Sequence, residues 1–392
     1  MPLSTTIQQH ANSLAPYLLG VRRHLHKYPE LSFIEHNTSA YIQEQLTTHN
    51  IEFTAGIAGT GIVAIIKGNN PNSKCVALRA DIDALPIQEL NTAPYTSVNA
   101  GIMHACGHDV HTTCTLGAAI ILNTLKDKLE GSVKILFQPG EEKLPGGASL
   151  MINEGVLHNP SVASIIGQHV QNSIPVGKVG FCKGMYMAST DELYITLTSK
   201  GGHGAMPHLT TDVVVVAAQL ILALQTITSR NANPIVPTVL SIGKMQALGA
   251  TNVLPTQVVM EGTFRTFDET WRTQAHTRIH QIVNGIAHSM NCEADVRIEK
   301  GYPFLINDAM LTEACITKAK QYLGEDNVLP QDMRMTAEDF AYYSQHVPAC
   351  FYRLGTGNAS KGISANVHTP NFDIDEDALA IGAGLMAYMC IE

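Results

Sequence analysis

The chain has no run of basic residues, and its formal net charge is −9 over 392 residues. Binding to a phosphate backbone needs clustered Lys and Arg, so nucleic acid is not an expected partner. No apolar run approaches the roughly 20 residues needed to cross a bilayer. The opening Met1-Pro2-Leu3-Ser4-Thr5-Thr6 also lacks a basic stretch followed by an apolar one. A cytoplasmic protein without a membrane partner is the expectation. Cysteine is sparse, 8 residues scattered along the chain, which argues against a disulfide framework. Cys75, Cys182 and Cys350 lie inside apolar runs and are expected in the core. Neither an internal repeat nor a low-complexity tract is present. Charged residues make up 15% and apolar residues 45%, the balance of a globular chain with a large core. The length exceeds what one core usually supports, so two domains are expected.

What is present alternates. Helical spacing runs from Ile7 to His26 and stops at Tyr28-Pro29, and Asn37-Thr38 is placed to cap a second helix. Gly61–Ile66, Cys75–Leu78, Val133–Gln138 and Ala163–Gln168 are short apolar runs bounded by turn residues, as buried strands are. Helical segments separate them, so the fold class is α/β, a mostly parallel sheet sandwiched by helices. From about Met185 the pattern changes. Glu192–Thr198 alternates like a half-exposed antiparallel strand, and the succeeding order reads β-α-β-β-α-β, a ferredoxin-like unit. The organisation expected is a catalytic domain of residues 1–184 and 300–392 with an inserted lid or dimerisation domain, 185–299.

In such sheets ligands gather beyond the carboxyl ends of the strands. Asp81, Asp83, Glu141, Glu142 and His169 all follow a predicted strand end. Met103-His104-Ala105-Cys106-Gly107-His108-Asp109-Val110-His111 adds a thiol and three imidazoles before a helix, and Asn366-Val367-His368 adds another ring. A thiolate and a neutral imidazole two residues apart can grip one cation, and Asp109 is placed to orient a ligating ring. Cys106, His108, Glu142, His169 and His368 exceed what one tetrahedral ion needs but suit two ions. Of the adjacent glutamates, one can bind metal while the other takes a proton from water. Thiolate and imidazole suit Zn²⁺ and carboxylates admit Mn²⁺, with Co²⁺ or Ni²⁺ also compatible. His104 and His111 are expected to orient or pack. His208 is placed to cap the helix after it or to support His203, and Arg265 is expected to be structural. Glu338 and Asp339 either line the site or charge a helix N-terminus.

Four stretches together resemble one family: Arg79-Ala-Asp-Ile-Asp-Ala-Leu-Pro86, Met103 to His111, Gln138-Pro-Gly-Glu-Glu142 and Gly201-Gly-His-Gly-Ala-Met-Pro-His208. It is the amidohydrolase branch of the aminoacylase/carboxypeptidase G metallopeptidases, which includes hippurate, auxin-conjugate and N-acetyl-diaminopimelate hydrolases. The resemblance runs from Arg22–Leu31 to His368-Thr369-Pro370, nearly the whole chain. It implies two divalent ions per chain on Cys106, His108, Glu142, His169 and His368. Glu141 matches the catalytic glutamate and Asp83 a carboxylate supporting the metal site. His203 matches a lid histidine that reaches the substrate carbonyl, and Asn252 a lid asparagine near the substrate. Asp81 stands where some relatives carry a ligating histidine, and here a supporting role is expected. Tyr302 stands where carboxypeptidase G-like relatives place an arginine for the substrate carboxylate, so that anchor is open. The implied activity is metal-dependent hydrolysis of small N-acyl amino acids. The alternatives are an N-acetyl-diaminopimelate-type deacetylase or a non-catalytic binding homologue. A homodimer through the inserted domain is implied, with the lid histidine of one chain directed to the metals of the other.

Overall fold

The computed structural model describes residues 2–391, and the chain divides into two compact units. The first holds everything up to Tyr186, Ile306–Met333 and the segment from Asp339 onward. The second holds Met187–Leu305 and Arg334–Glu338.

The first unit begins with α1 (Leu3–Lys27), α2 (His36–Thr48), β1 (Glu52–Ile57), β2 (Gly61–Lys67) and β3 (Cys75–Asp81). It continues through α3 (His108–Thr124), β4 (Ser132–Gln138), α4 (Gly147–Asn153), β5 (Ser164–Pro175) and β6 (Val179–Phe181). β7 (Gly184–Met187) leads out of it. Helix α2 starts one residue before Asn37, and neither Asn37 nor Thr38 caps it. The carboxylate of Glu30 accepts the backbone N–H groups of both, at 3.2 and 2.8 Å, so the first turn is closed by a residue outside the helix. β1 is a strand that its composition conceals, because none of its six residues is buried and it lies at the sheet edge.

The second unit holds β8 (Asp191–Thr198), β9 (Gly202–His203), α5 (Val213–Thr226), β10 (Thr238–Ala247), β11 (Val253–Leu254), β12 (Gln257–Thr266), α6 (Glu269–Ser289) and β13 (Glu293–Lys300). Its sheet order, β10-β12-β8-β13 with every pairing antiparallel, is that of the ferredoxin-like unit. Helix α5 and the π turn that continues it form a stretch, Val213–Asn231, long and apolar enough to cross a membrane, which the sequence reading did not anticipate. One face of it, Val213, Val216, Ala217, Leu220, Leu224 and Ile227, is buried in the core of this unit. Its cap is the Asp212 carboxylate, which accepts from Val214 and Val215 N–H, and not His208. Arg265 is structural, donating to the Met335 carbonyl at 3.2 Å. Where the chain enters and leaves this unit, Gly301 N–H donates to the Thr190 carbonyl, and Thr190 N–H to that of Tyr302, both at 3.0 Å.

β14 (Leu305–Asn307) is followed by α7 (Ala309–Leu323), β15 (Val328–Pro330), α8 (Ala341–Ser344), β16 (Ala349–Gly357) and α9 (Ala378–Cys390). The large sheet has the order β1-β2-β4-β3-β5-β16-β6-β15, and its centre, β4-β3-β5-β16, is parallel throughout. β4 is buried at every position, as a strand covered on both faces must be. Helices α1, α3 and α9 share one apolar core with the sheet. All eight cysteines are buried, and none is joined in a disulfide among the described residues.

Candidate metal centre and active site

The parallel strands bring their carboxyl ends to one edge. β3 delivers Asp81 and, two residues on, Asp83; β4 delivers Glu141 and Glu142; β5 carries His169 within its length. Cys106 and His108 flank Gly107, which caps α3 with φ +82°. A Cβ there would come within 2.5 Å of Val170 Cγ2, so only glycine allows both the left-handed turn and the approach of the thiol to β5. His368 is itself left-handed, φ +62°, and its N–H donates to the Ala105 carbonyl at 2.8 Å.

Among the described residues four groups of potential ligand atoms form within this unit, each with its atoms mutually within 4.8 Å. They are Cys106–His108–His169, Cys106–Glu142–His368, His108–Glu141–Glu142 and Asp81–His108–His111. Every residue singled out as a ligand falls in at least one; Cys106 and Glu142 each belong to two, and His108 to three. The Cys106 Sγ lies 3.4 Å from His169 Nε2, and His368 Nε2 lies 3.2 Å from Glu142 Oε1.

The rings are held from behind. Asp83 Oδ1 lies 3.1 Å from His108 Nδ1, and its other oxygen accepts from Ser32 at 2.7 Å and Glu142 N–H at 2.9 Å. His169 Nδ1 lies 2.8 Å from the Val170 carbonyl. A carbonyl can only accept, so His169 Nδ1 carries the proton and Nε2 offers its lone pair. Asp109, expected to orient a ligating ring, does something else. It takes Arg22 Nε at 3.0 Å and His26 Nδ1 at 2.8 Å, because one residue after His108 it faces away from the cluster. His111 orients rather than ligates: Nδ1 is 2.6 Å from Asp81, and Nε2 accepts from Val170 N–H at 2.9 Å. Asp81 is buried against Arg79, at 2.5 Å, as a supporting group. His104 is buried, and among the described residues neither ring nitrogen finds a hydrogen-bond partner.

At the cluster itself, His108 Nε2 is buried with no hydrogen-bond partner among the described residues, and buried Glu142 Oε1 has imidazole nitrogens beside it, His368 Nε2 at 3.2 Å and His108 Nε2 at 4.0 Å. Both face the cluster. Such atoms are costly unless something coordinates them. The electrostatics agree. Burial, then Glu142, pushes the Cys106 thiol up, while contacts with Cys106 and Glu142 hold His368 at about 10. Burial, then Arg353, lowers His169. The acceptors of this cluster call for positive charge, and a thiolate–imidazole–carboxylate set is one that a divalent cation satisfies.

Glu141 is 7% exposed, and the Asp339 N–H donates to its Oε1 at 3.4 Å. The turn before it is fixed by buried Glu35, which accepts from Gly140 N–H at 2.9 Å and Thr60 Oγ1 at 2.6 Å. Glu35 was not singled out in the sequence, where an isolated acid before a helix carries no such signal. In the second unit, His203 on β9 pairs with Val253 on β11, and Gly204 N–H donates to the Asn252 carbonyl at 2.8 Å. That pairing puts His203 and Asn252 on adjoining exposed loops. Tyr302 is buried.

The model of the peptidase family M20/M25/M40 matches residues 77–392. The chain belongs to that family. It is 40% identical over 368 residues to an N-acetyl-L-cysteine deacetylase of Bacillus subtilis, covering 94% of this chain and 86% of the relative. It is 43% identical over 290 residues to an N-acyl-L-amino acid amidohydrolase of Geobacillus stearothermophilus, 74% of this chain and 78% of that one. Among solved structures, the YXEP protein of Bacillus subtilis, a dinuclear metal binding peptidase from the M20 family, superposes with a TM-score of 0.82. The identity there is 34%, over 97% of this chain and 98% of that one. This M20 chain is a metal-dependent hydrolase acting on amides, and it binds divalent metal.

Proposed function

We propose that this M20 enzyme hydrolyses N-acyl amino acids to a carboxylate and a free amino acid, using two divalent ions on Cys106, His108, Glu142, His169 and His368. The observation that carries the reading is the membership of Cys106 in two ligand groups at once. A thiolate shared between His108 and His169 on one side and Glu142 and His368 on the other would let five residues hold two adjoining ions. The ions, when bound, supply Lewis-acid polarisation of the scissile carbonyl and make water easier to deprotonate. Zn²⁺ suits the thiolate and Mn²⁺ the carboxylate, and Co²⁺ or Ni²⁺ fit the same set. Glu141 takes the proton of the attacking water and hands it to the leaving nitrogen. Asp83 holds the His108 ring by its Nδ1 and the Glu142 backbone by its N–H, so one buried carboxylate aligns a ligand from each of two elements. Metal analysis with a panel of N-acetyl, N-benzoyl and N-succinyl amino acids tests the reading. Turnover on at least one class is expected, and the preferred acyl group identifies the substrate. Two ions per chain with no turnover on any member would make this a binding protein.

We infer that the enzyme is a homodimer through the second unit, in which His203 of one chain serves the metal site of the other as an oxyanion donor. The unit's sheet ends in two edge strands, β10 and β13, which need a partner or a cover. Apolar Val215, Leu222 and Met245 are exposed on α5 and β10, and a two-fold pairing would cover them. An oxyanion donor contributes about 2.7–4 kcal/mol, so Glu141→Gln and His203→Ala chains are each expected to be nearly inactive. Co-refolded in equal amounts, half the dimers are mixed and each has one intact site, so about a quarter of wild-type activity returns. If His203 acts within its own chain, none returns.

A further inference from the structure

The catalytic glutamate meets a group that no role yet covers. Asp339 is fully buried, and its backbone N–H is the donor to Glu141 Oε1. Its carboxylate is held on three sides. Gln138 Nε2 donates to both oxygens, at 2.9 and 2.8 Å, Ala148 N–H donates to Oδ2 at 2.9 Å, and Arg79 Nη2 donates to Oδ1 at 2.6 Å. Gln138 and Ala148 lie on either side of Glu141 in sequence, at the end of β4 and in α4. The Asp339 carboxylate therefore ties together both flanks of the turn that presents the base. The turn has little slack, since a Cβ on Gly147 would come within 1.7 Å of the Pro139 carbonyl.

Arg79 extends the device. It is 1% exposed; Nε donates to Gln138 Oε1 at 2.9 Å and Nη1 to Asp81 Oδ2 at 2.5 Å. Asp81 in turn engages His111, which accepts the N–H of Val170, the residue whose carbonyl fixes the His169 ring. One buried guanidinium thus links the support of Glu141 to the support of a ligand on the far side of the cluster. Two carboxylates around the guanidinium keep its charge paired inside the sheet, where an unpaired charge would be costly.

We propose that Asp339 is a positioning residue for Glu141, held in place by Arg79 and Gln138, and that it acts on the chemical step through that side chain alone. The proposal rests on the reading of Glu141 as the base. A misplacement of the order of 1 Å costs about 10²-fold in rate, so Asp339→Asn, which weakens the grip on Arg79, should lower kcat by about ten- to a hundredfold. KM and metal content should stay near wild type.

A merely structural role would give the same loss, so the deciding measurement is a double-mutant cycle. In the Glu141→Gln background there is no base left to position, and Asp339→Asn should change the residual kcat by less than about threefold. An equal fold-loss in both backgrounds, or no loss in the wild-type background, overturns the proposal. Should Asp339→Asn fail to fold, Gln138→Met, which removes the two donors to the same carboxylate, is carried through the same cycle with the same criteria. The Glu141→Gln single variant separates the two readings: if it retains full activity the base assignment fails, whatever Asp339 does.

Discussion

Glu141→Gln should lower kcat by about 10²–10⁴-fold, the usual contribution of a general base, and leave metal content unchanged. Glutamine keeps the size of the side chain and an oxygen able to accept the Asp339 N–H, so the turn after β4 has no reason to move. What it lacks is the capacity to take and return a proton. The ligands proposed are all other residues, and Glu142, next in the chain, is held independently through its N–H by Asp83. Single-turnover kinetics on the best substrate of the panel, with metal quantified on the same preparation, checks the prediction. Loss of both metal and activity would move Glu141 from the proton to the ions.

Arg272→Met should destabilise the second unit by about 3–5 kcal/mol, the cost of leaving one member of a buried ion pair without the other. Arg272 and Asp191 are both fully buried. The guanidinium donates to the two Asp191 oxygens at 2.9 and 2.5 Å and to the carbonyls of Thr190 and Gly301. Burial on its own would raise the Asp191 carboxyl, but contacts with His276 and Arg272 outweigh it and hold it below the usual carboxylate range. A carboxylate whose folded pKa is depressed contributes stability that is present above its unfolded value, near 3.9, and lost as pH falls through the folded one. Without Arg272 that advantage shrinks. The gap between wild type and variant in urea denaturation should therefore be full at pH 7 and narrow below about pH 4. A gap independent of pH would mean that the loss comes from packing and not from the charge.

Much of the site was legible because strand ends are legible. Gln138-Pro139-Gly140 stops an apolar run and leaves Glu141 and Glu142 at the sheet's edge whatever the rest of the chain does, and the same holds for Asp81 and Asp83. The alternation of β8 and the spacing of α5 and α6 carried the ferredoxin-like order. What failed to show were contacts without local periodicity. Glu30 caps a helix from seven residues away, where Asn37 and Thr38 had the better composition. β1 carries no such signal, because an exposed edge strand need not alternate. Asp109 was given the orienting task that Asp83 performs, since adjacency to His108 in sequence points to opposite sides at the start of a helix. Arg79 and Asp339 meet across 260 positions, a pairing that no short motif contains.

The paired bonds between Thr190 and the Gly301–Tyr302 segment mean that the long stretch of the ferredoxin-like insertion starts and finishes at one doorway. Seen from outside it, everything between those residues is a detour of nearly zero span. The entropy of closing a loop depends on the distance bridged and only weakly on the length of chain within. An insertion at this doorway can therefore grow, shrink or be exchanged between proteins while the parallel sheet keeps its own connections unchanged. Such a junction allows the inserted unit to diverge without renegotiating the scaffold that carries the metal ligands.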